Sequence, residues 1–133
     1  MVSVKRVLLD THALLWALTV PKKLPSRVRK LLENPDLEVF VSSLSAWELA
    51  MKYRIGKLPE AEHLLNNFHG YLQEANFKIL NFTIEHGLEA ANIGIPHGNP
   101  YDRGLIAQAK LENLALVSGD NAFDDLTNPK IIW

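Results

Sequence analysis

Cysteine is missing from all 133 residues, which rules out disulfides, zinc–thiolate sites and a thiol nucleophile. Long apolar runs are missing too, and no stretch approaches the roughly 20 residues that a membrane-spanning helix needs. The one segment resembling a leader, "MVSVKRVLLDTHALLWALTV", is interrupted by Asp10, Thr11 and His12 and has no small-residue cleavage site. A cytoplasmic protein without membrane association is expected. There is no internal repeat, low-complexity tract or long linker, so a single domain over 1–133 is expected. What is present, 47% hydrophobic and 22% charged residues, is the composition of a soluble globule able to bury a core.

Neither sign of charge dominates, the net being −1, yet the charge is unevenly spread. Residues 1–60 hold ten Lys or Arg against six Asp or Glu, and the remainder holds four against nine. The bases gather in "PKKLPSRVRK" and "KYRIGK". Such clusters fit a solvated helix face, or a phosphate-contacting surface that the acidic total conceals.

Apolar periodicity divides the chain into alternating strands and helices. "VKRVLL" (4–9), "LEVFVS" (37–42), "FKILNF" (77–82), "LALVS" (114–118) and "KIIW" (130–133) read as strands. Helices are expected over 11–18, from Pro25 or Ser26 to 33, over 43–56, across 60–75 despite Gly70, from the Thr83 cap to 93, and over 99–113. This alternation predicts an α/β fold with a central parallel sheet covered on both faces. Ligands in such folds bind beyond the carboxyl ends of the strands.

Four acids fall near that edge, each with an ordinary alternative. Asp10 follows the first strand and could cap the next helix. Asp120 follows "LALVS" and could be a turn residue. Asp102 sits in the first turn of a helix opened by Asn99-Pro100, where a negative charge suits the dipole. It also shares a stripe with Leu105, Ile106 and Ala109, which aims it inward. Glu48 lies among Leu44, Trp47, Met51 and Ile55, read as an inward apolar stripe. It is either the reciprocal partner of a Ser45 capping box, although Ser42 or Ser43 is the more economical cap, or a buried carboxylate that must be paired, protonated or bound to a cation. Together, four acids at one edge would raise one another's pKa values. Mg²⁺ or Mn²⁺ is the physical remedy, and metal-assisted phosphodiester hydrolysis the reaction class.

Three blocks, "LLDTHALLWAL", "VSSLSAWELAMKYRIGKL" and "EHGLEAANIGIPHGNPYDRGLIAQAKLENLALVSGD", make the chain resemble the PIN-domain nucleases, within them the VapC-type toxins of toxin–antitoxin pairs. The resemblance implies a Rossmann-like, three-layer α/β/α fold whose Mg²⁺- or Mn²⁺-loaded acidic pocket cuts single-stranded RNA. It also implies a VapB-type antitoxin and a toxin homodimer. The family's acids fall on Asp10, Glu48, Asp102 and Asp120, with Thr11 and Ser118 as supporting hydroxyls. Arg103 is a candidate phosphate contact, or half of a surface ion pair. Asn99 departs from the aspartate that relatives commonly carry, and Gly119 from a position often basic in them. His12 is not needed as a base, and Asp124 and Asp125 read as a solvated turn.

Two rival functions remain. A catalytically impaired module would bind RNA or protein without cutting, the Asn99 change accompanying the loss. A receiver- or phosphatase-like protein would phosphorylate Asp10, although no Asp stands two residues later.

Overall fold

The centre of the molecule is β1 (Arg6–Leu9), whose Val7, Leu8 and Leu9 are wholly buried. The computed structural model describes residues 4–94 and 99–133. The "IPHG" portion of the third sequence block lies outside them. β1 pairs in parallel with β2 (Glu38–Ser42) on one side and β4 (Ala115–Val117) on the other. β3 (Lys78–Leu80) and β5 (Ile131–Ile132) form the edges, giving the all-parallel order β3-β2-β1-β4-β5. The turning point of that order lies between β1 and β4, where a doubly wound sheet opens its crevice.

Side chains alternate across the sheet and sort the core into two halves. Val7, Leu9, Val39, Val41 and Val117 face one side. There they meet Leu14 and Leu15 of α1 (Thr11–Thr19), Val28 of α2 (Ser26–Glu33), and Leu49 of α3 (Ser43–Arg54). Leu64 of α4 (Glu62–Asn66) and Leu72 of α5 (Phe68–Glu74) complete that layer. Leu8 and Leu116 face the other side, against Leu105, Ile106 and Ala109 of α7 (Pro100–Leu111). α6 (Ile84–Ala90) packs on α7 and is opened by Thr83, as expected. The result is the three-layer α/β/α arrangement. Among the described residues no helix is long and apolar enough to cross a membrane.

One expected element is different. The single helix over 60–75 is two, parted at Asn67 (φ −149°, ψ 52°), while Gly70 stays inside the second. Asparagine is a weak helix former, and its side chain lies against Gly70, where a Cβ would run into it.

Candidate functional site

Asp10 leaves the carboxyl end of β1 and caps α1, its Oδ1 accepting from the Ala13 N–H at 2.7 Å. It is only 7% exposed. Burial raises its carboxyl above the usual range; the Ser118 hydroxyl, the Ala13 N–H and His12 ease the charge, and Asp120 adds to the strain. The Ser118 hydroxyl hydrogen-bonds Asp10 and accepts from the Asp120 N–H at 3.0 Å, so one buried serine joins the two acids. Asp120 is exposed and caps a short 3-10 turn, its Oδ1 accepting from the Ala122 N–H at 2.9 Å. Cap and site duties are therefore compatible at both positions. Thr11 Oγ1 lies 3.0 Å from Ser45 Oγ, tying the start of α1 to that of α3.

Ser45 is thus not the cap of a box with Glu48. α3 begins at Ser43, and Ser42 caps it by accepting from the Leu44 N–H at 3.0 Å. The expected inward stripe is also turned: Trp47, Met51 and Ile55 are exposed, at 59%, 42% and 61%, while Ser45, Glu48 and Leu49 are buried. On this buried side Ser45 meets Thr11 and Glu48 meets Lys52, while Leu49 joins the hydrophobic core. Glu48 is 3% exposed. Its Oε2 accepts from Lys52 Nζ at 2.7 Å, while Oε1 is buried without a partner. An unsatisfied buried acceptor of this kind costs about 1–3 kcal/mol.

Asp102 belongs to a reciprocal cap at the start of α7. Asn99 Oδ1 accepts from the Asp102 N–H at 2.8 Å, and the Asn99 N–H hydrogen-bonds the Asp102 carboxyl. That hydrogen bond is outweighed. Burial first, then the charges of Glu48, Asp120 and Asp10, push the Asp102 carboxyl up to about 6. Its stripe-mates Leu105, Ile106 and Ala109 are buried, so it does point inward. The close approach of α7 to α3 rests on Gly104, where a Cβ would run into Leu44 Cδ1 and stand 3.1 Å from Phe82 Cε1. Among the described residues Arg103 has no carboxylate partner. Its Nη1 donates to the Ile93 carbonyl at 2.7 Å, closing the end of α6 against α7.

Asp102 feels the charge of the other three acids, and Asp10 that of Asp120, without a finished cage being formed. Among the described residues no three carboxylate or imidazole groups stand together so as to hold a metal ion unaided. Magnesium does not require such a cage, since it keeps several waters and binds through one or two carboxylates plus substrate phosphate. The all-oxygen donor set and the orphaned Glu48 Oε1 suit a hard divalent cation.

Sequence reasoning missed two features of the site. Lys52, counted among the surface bases, turns inward onto Glu48; the Glu-to-Lys spacing of four residues was the available signal. An aromatic wall was also missed. A cleft of about 390 Å³ is lined by Asp10, His12, Trp16, Gly119, Asp120 and Trp133. His12 and Trp16, four residues apart on α1, could have been paired from the sequence, whereas Trp133 arrives from the far end of β5. Asp124 and Asp125 are exposed.

The PIN domain family model matches residues 7–129. Among solved structures, the chain is similar to VapBC of Salmonella typhimurium bound to DNA, at 21% identity and TM-score 0.70, covering 98% of each chain. It is similar to VapBC2 of Rickettsia felis bound to a fragment of its promoter, at 21% identity and TM-score 0.68, covering 96% of this chain and 98% of that one. FitAcB of Neisseria gonorrhoeae follows at 20% identity and TM-score 0.61, with 96% of each chain covered. No curated protein matches in sequence. With the family model spanning nearly the whole chain and the fold shared along its length, the protein belongs to the PIN-domain family.

Proposed function

We propose that the chain is a single-domain, metal-dependent endoribonuclease, the VapC-type toxin of a toxin–antitoxin pair acting in the cytoplasm. The observation carrying this reading is the Asp102 carboxyl, pushed up to about 6 by burial and by three other acids from three separate elements. Folding places mutually repelling carboxylates in a half-buried cleft only at a net cost. Perturbed carboxyls gathered in a cleft are the mark of a working site. Asp10, Glu48, Asp102 and Asp120 would hold Mg²⁺ or Mn²⁺. Such a cation supplies positive charge to the phosphoryl group and a more acidic water.

The chain's own groups do the positioning. Ser118 keeps Asp10 and Asp120 in register, and the Thr11–Ser45 bond holds α1 against α3. Lys52 neutralises Glu48 from behind while leaving Oε1 available. Asn99 performs the cap that aims Asp102. That duty suits asparagine about as well as aspartate, which argues against reading the residue as a sign of lost catalysis.

Two exposed apolar stripes support protein partners: Trp47, Met51 and Ile55 on α3, and Ile84 and Leu88 on α6. A second copy and a VapB-type antitoxin are the proposed occupants. RNA cleavage by the purified protein with Mn²⁺, compared with Asp10→Asn and Glu48→Gln, tests the activity. The wild type is expected to cut and both variants to be inert; undiminished cleavage by both would sink the mechanism. Manganese calorimetry separates the binding-module alternative, which predicts RNA binding with no metal affinity.

A further inference from the structure

The cleft beside the acids has a second wall that phosphodiester hydrolysis alone does not use. Trp16 and Trp133 stand with ring centroids 6.0 Å apart at 47°, and His12 is 5.8 Å from Trp16. Both indoles rest one side on the core and stay half-buried, facing a cleft shared with Asp10 and Asp120. Gly119 is what admits Trp133. A Cβ there would run into the indole, whose Nε1 would lie 2.7 Å away. Two bases adjoin the indoles. Lys23 Nζ lies 5.7 Å from the Trp16 ring centre, Arg27 Nε donates to the Trp133 main-chain oxygen, and Lys22, Lys23 and Arg27 are exposed.

The indoles thus share the cleft with two acids and have exposed bases as neighbours outside its lining. A nucleic acid strand presents groups that suit this: a phosphate for the edge where the acids would hold a cation, a flat base, then the next phosphate. We infer that Trp16 and Trp133 form a nucleobase-stacking subsite beside the acidic edge, with Lys22, Lys23 and Arg27 holding the neighbouring phosphate of a single-stranded nucleic acid. This rests on the proposed nuclease reading for which phosphate lies at the acids. The indoles already touch each other, so the base lies against the pair and does not enter between them. Stacking tolerates any base because each has a π face. The wall thus gives affinity and register, and a duplex, whose bases are already stacked, is poorly accepted.

The test uses wild-type protein labelled with 5-fluorotryptophan, which gives separate ¹⁹F signals for Trp16, Trp133 and Trp47, the last remote from the cleft. Probes are a mixed-sequence RNA hexamer and a set in which each position in turn is a tetrahydrofuran spacer without a base, all added with Ca²⁺ as the cation. The hexamer is expected to shift the Trp16 and Trp133 signals and leave Trp47 in place. One spacer position should abolish those shifts and weaken binding roughly tenfold to a hundredfold. Binding that leaves both signals unmoved, binding that no spacer weakens, or no binding at all overturns the subsite. Cleavage with Mn²⁺ is scored separately. Cutting without the ¹⁹F shifts leaves the nuclease reading and removes the subsite, whereas shifts without cutting do the reverse.

Discussion

At the scale of single residues, the site is a balance between charges that repel and groups that hold them. Lys52 is the clearest case. Changing Lys52→Met leaves a buried Glu48 carboxylate with neither oxygen paired, and the expected loss of stability is of order 1–3 kcal/mol. Mg²⁺ should restore part of that loss by taking the place of the ammonium. Thermal unfolding of wild type and variant, with and without Mg²⁺, reads both effects. Equal loss in the presence of the cation would show that the cation does not reach Glu48.

Asp102 gives a pH signature whose sign can be worked out. Its folded carboxyl titrates near 6 against 3.8 for an unperturbed one, so the folded state holds the proton more tightly. Its contribution to stability is then fully present below about pH 4 and lost as pH rises through about 6. Asp102→Asn removes that loss. The metal-free variant is expected to be more stable than wild type at pH 8 by about 1 kcal/mol, after discounting for solvent screening, and indistinguishable from it near pH 4. Metal affinity runs the other way: Mn²⁺ competes with the proton, so wild-type binding weakens toward tenfold per pH unit below about 6. Calorimetry between pH 5 and 8 follows it, and a flat profile would remove Asp102 from the ligand set.

At the scale of elements, the start of α7 shows how much one turn decides. Asn99→Ala deletes the cap and is expected to cost about 1 kcal/mol. Asn99→Asp should keep the cap and leave the denaturation midpoint nearly unchanged, while its added negative charge tightens Mn²⁺ binding. Urea melts and calorimetry on the two variants separate cap from charge. This turn was also readable beforehand: Asn-Pro opening a helix is strong local chemistry, while Asp102 suited both the helix dipole and an inward stripe with Leu105, Ile106 and Ala109. The strands after which Asp10 and Asp120 come were readable from short apolar runs bounded by turn residues. α3 was not. Both of its sides are partly apolar, so periodicity could not tell a core stripe from an exposed one. What settles its rotation is tertiary, namely Thr11 on Ser45 and Leu44 seated where Gly104 has no side chain. The arrival of Trp133 beside Trp16 is likewise a product of long-range packing, to which a local window is blind.

At the scale of the whole molecule, the turned α3 has a consequence for assembly. Trp47, Met51 and Ile55 recur at four-residue spacing on an exposed face, and Trp47 meets Tyr101 of α7 edge-on at 5.2 Å. The patch therefore bridges the two helices that also carry Glu48 and Asp102. A stripe of large apolar side chains left to water is a liability that a covering partner removes. A partner seated there would brace α3 and α7 from the side opposite the acids. A second copy on this face predicts that Met51→Lys with Ile55→Glu shifts the protein from dimer to monomer in light scattering. Since both side chains are exposed, far-ultraviolet circular dichroism should not change. The monomer should also bind Mn²⁺ more weakly, because α3 and α7 lose the brace that holds Glu48 near Asp102. An unchanged dimer would move the contact to Ile84 and Leu88 on α6. A monomer with undiminished Mn²⁺ affinity would show that the acids are positioned by the chain alone, through Gly104, Ser118 and the Thr11–Ser45 bond.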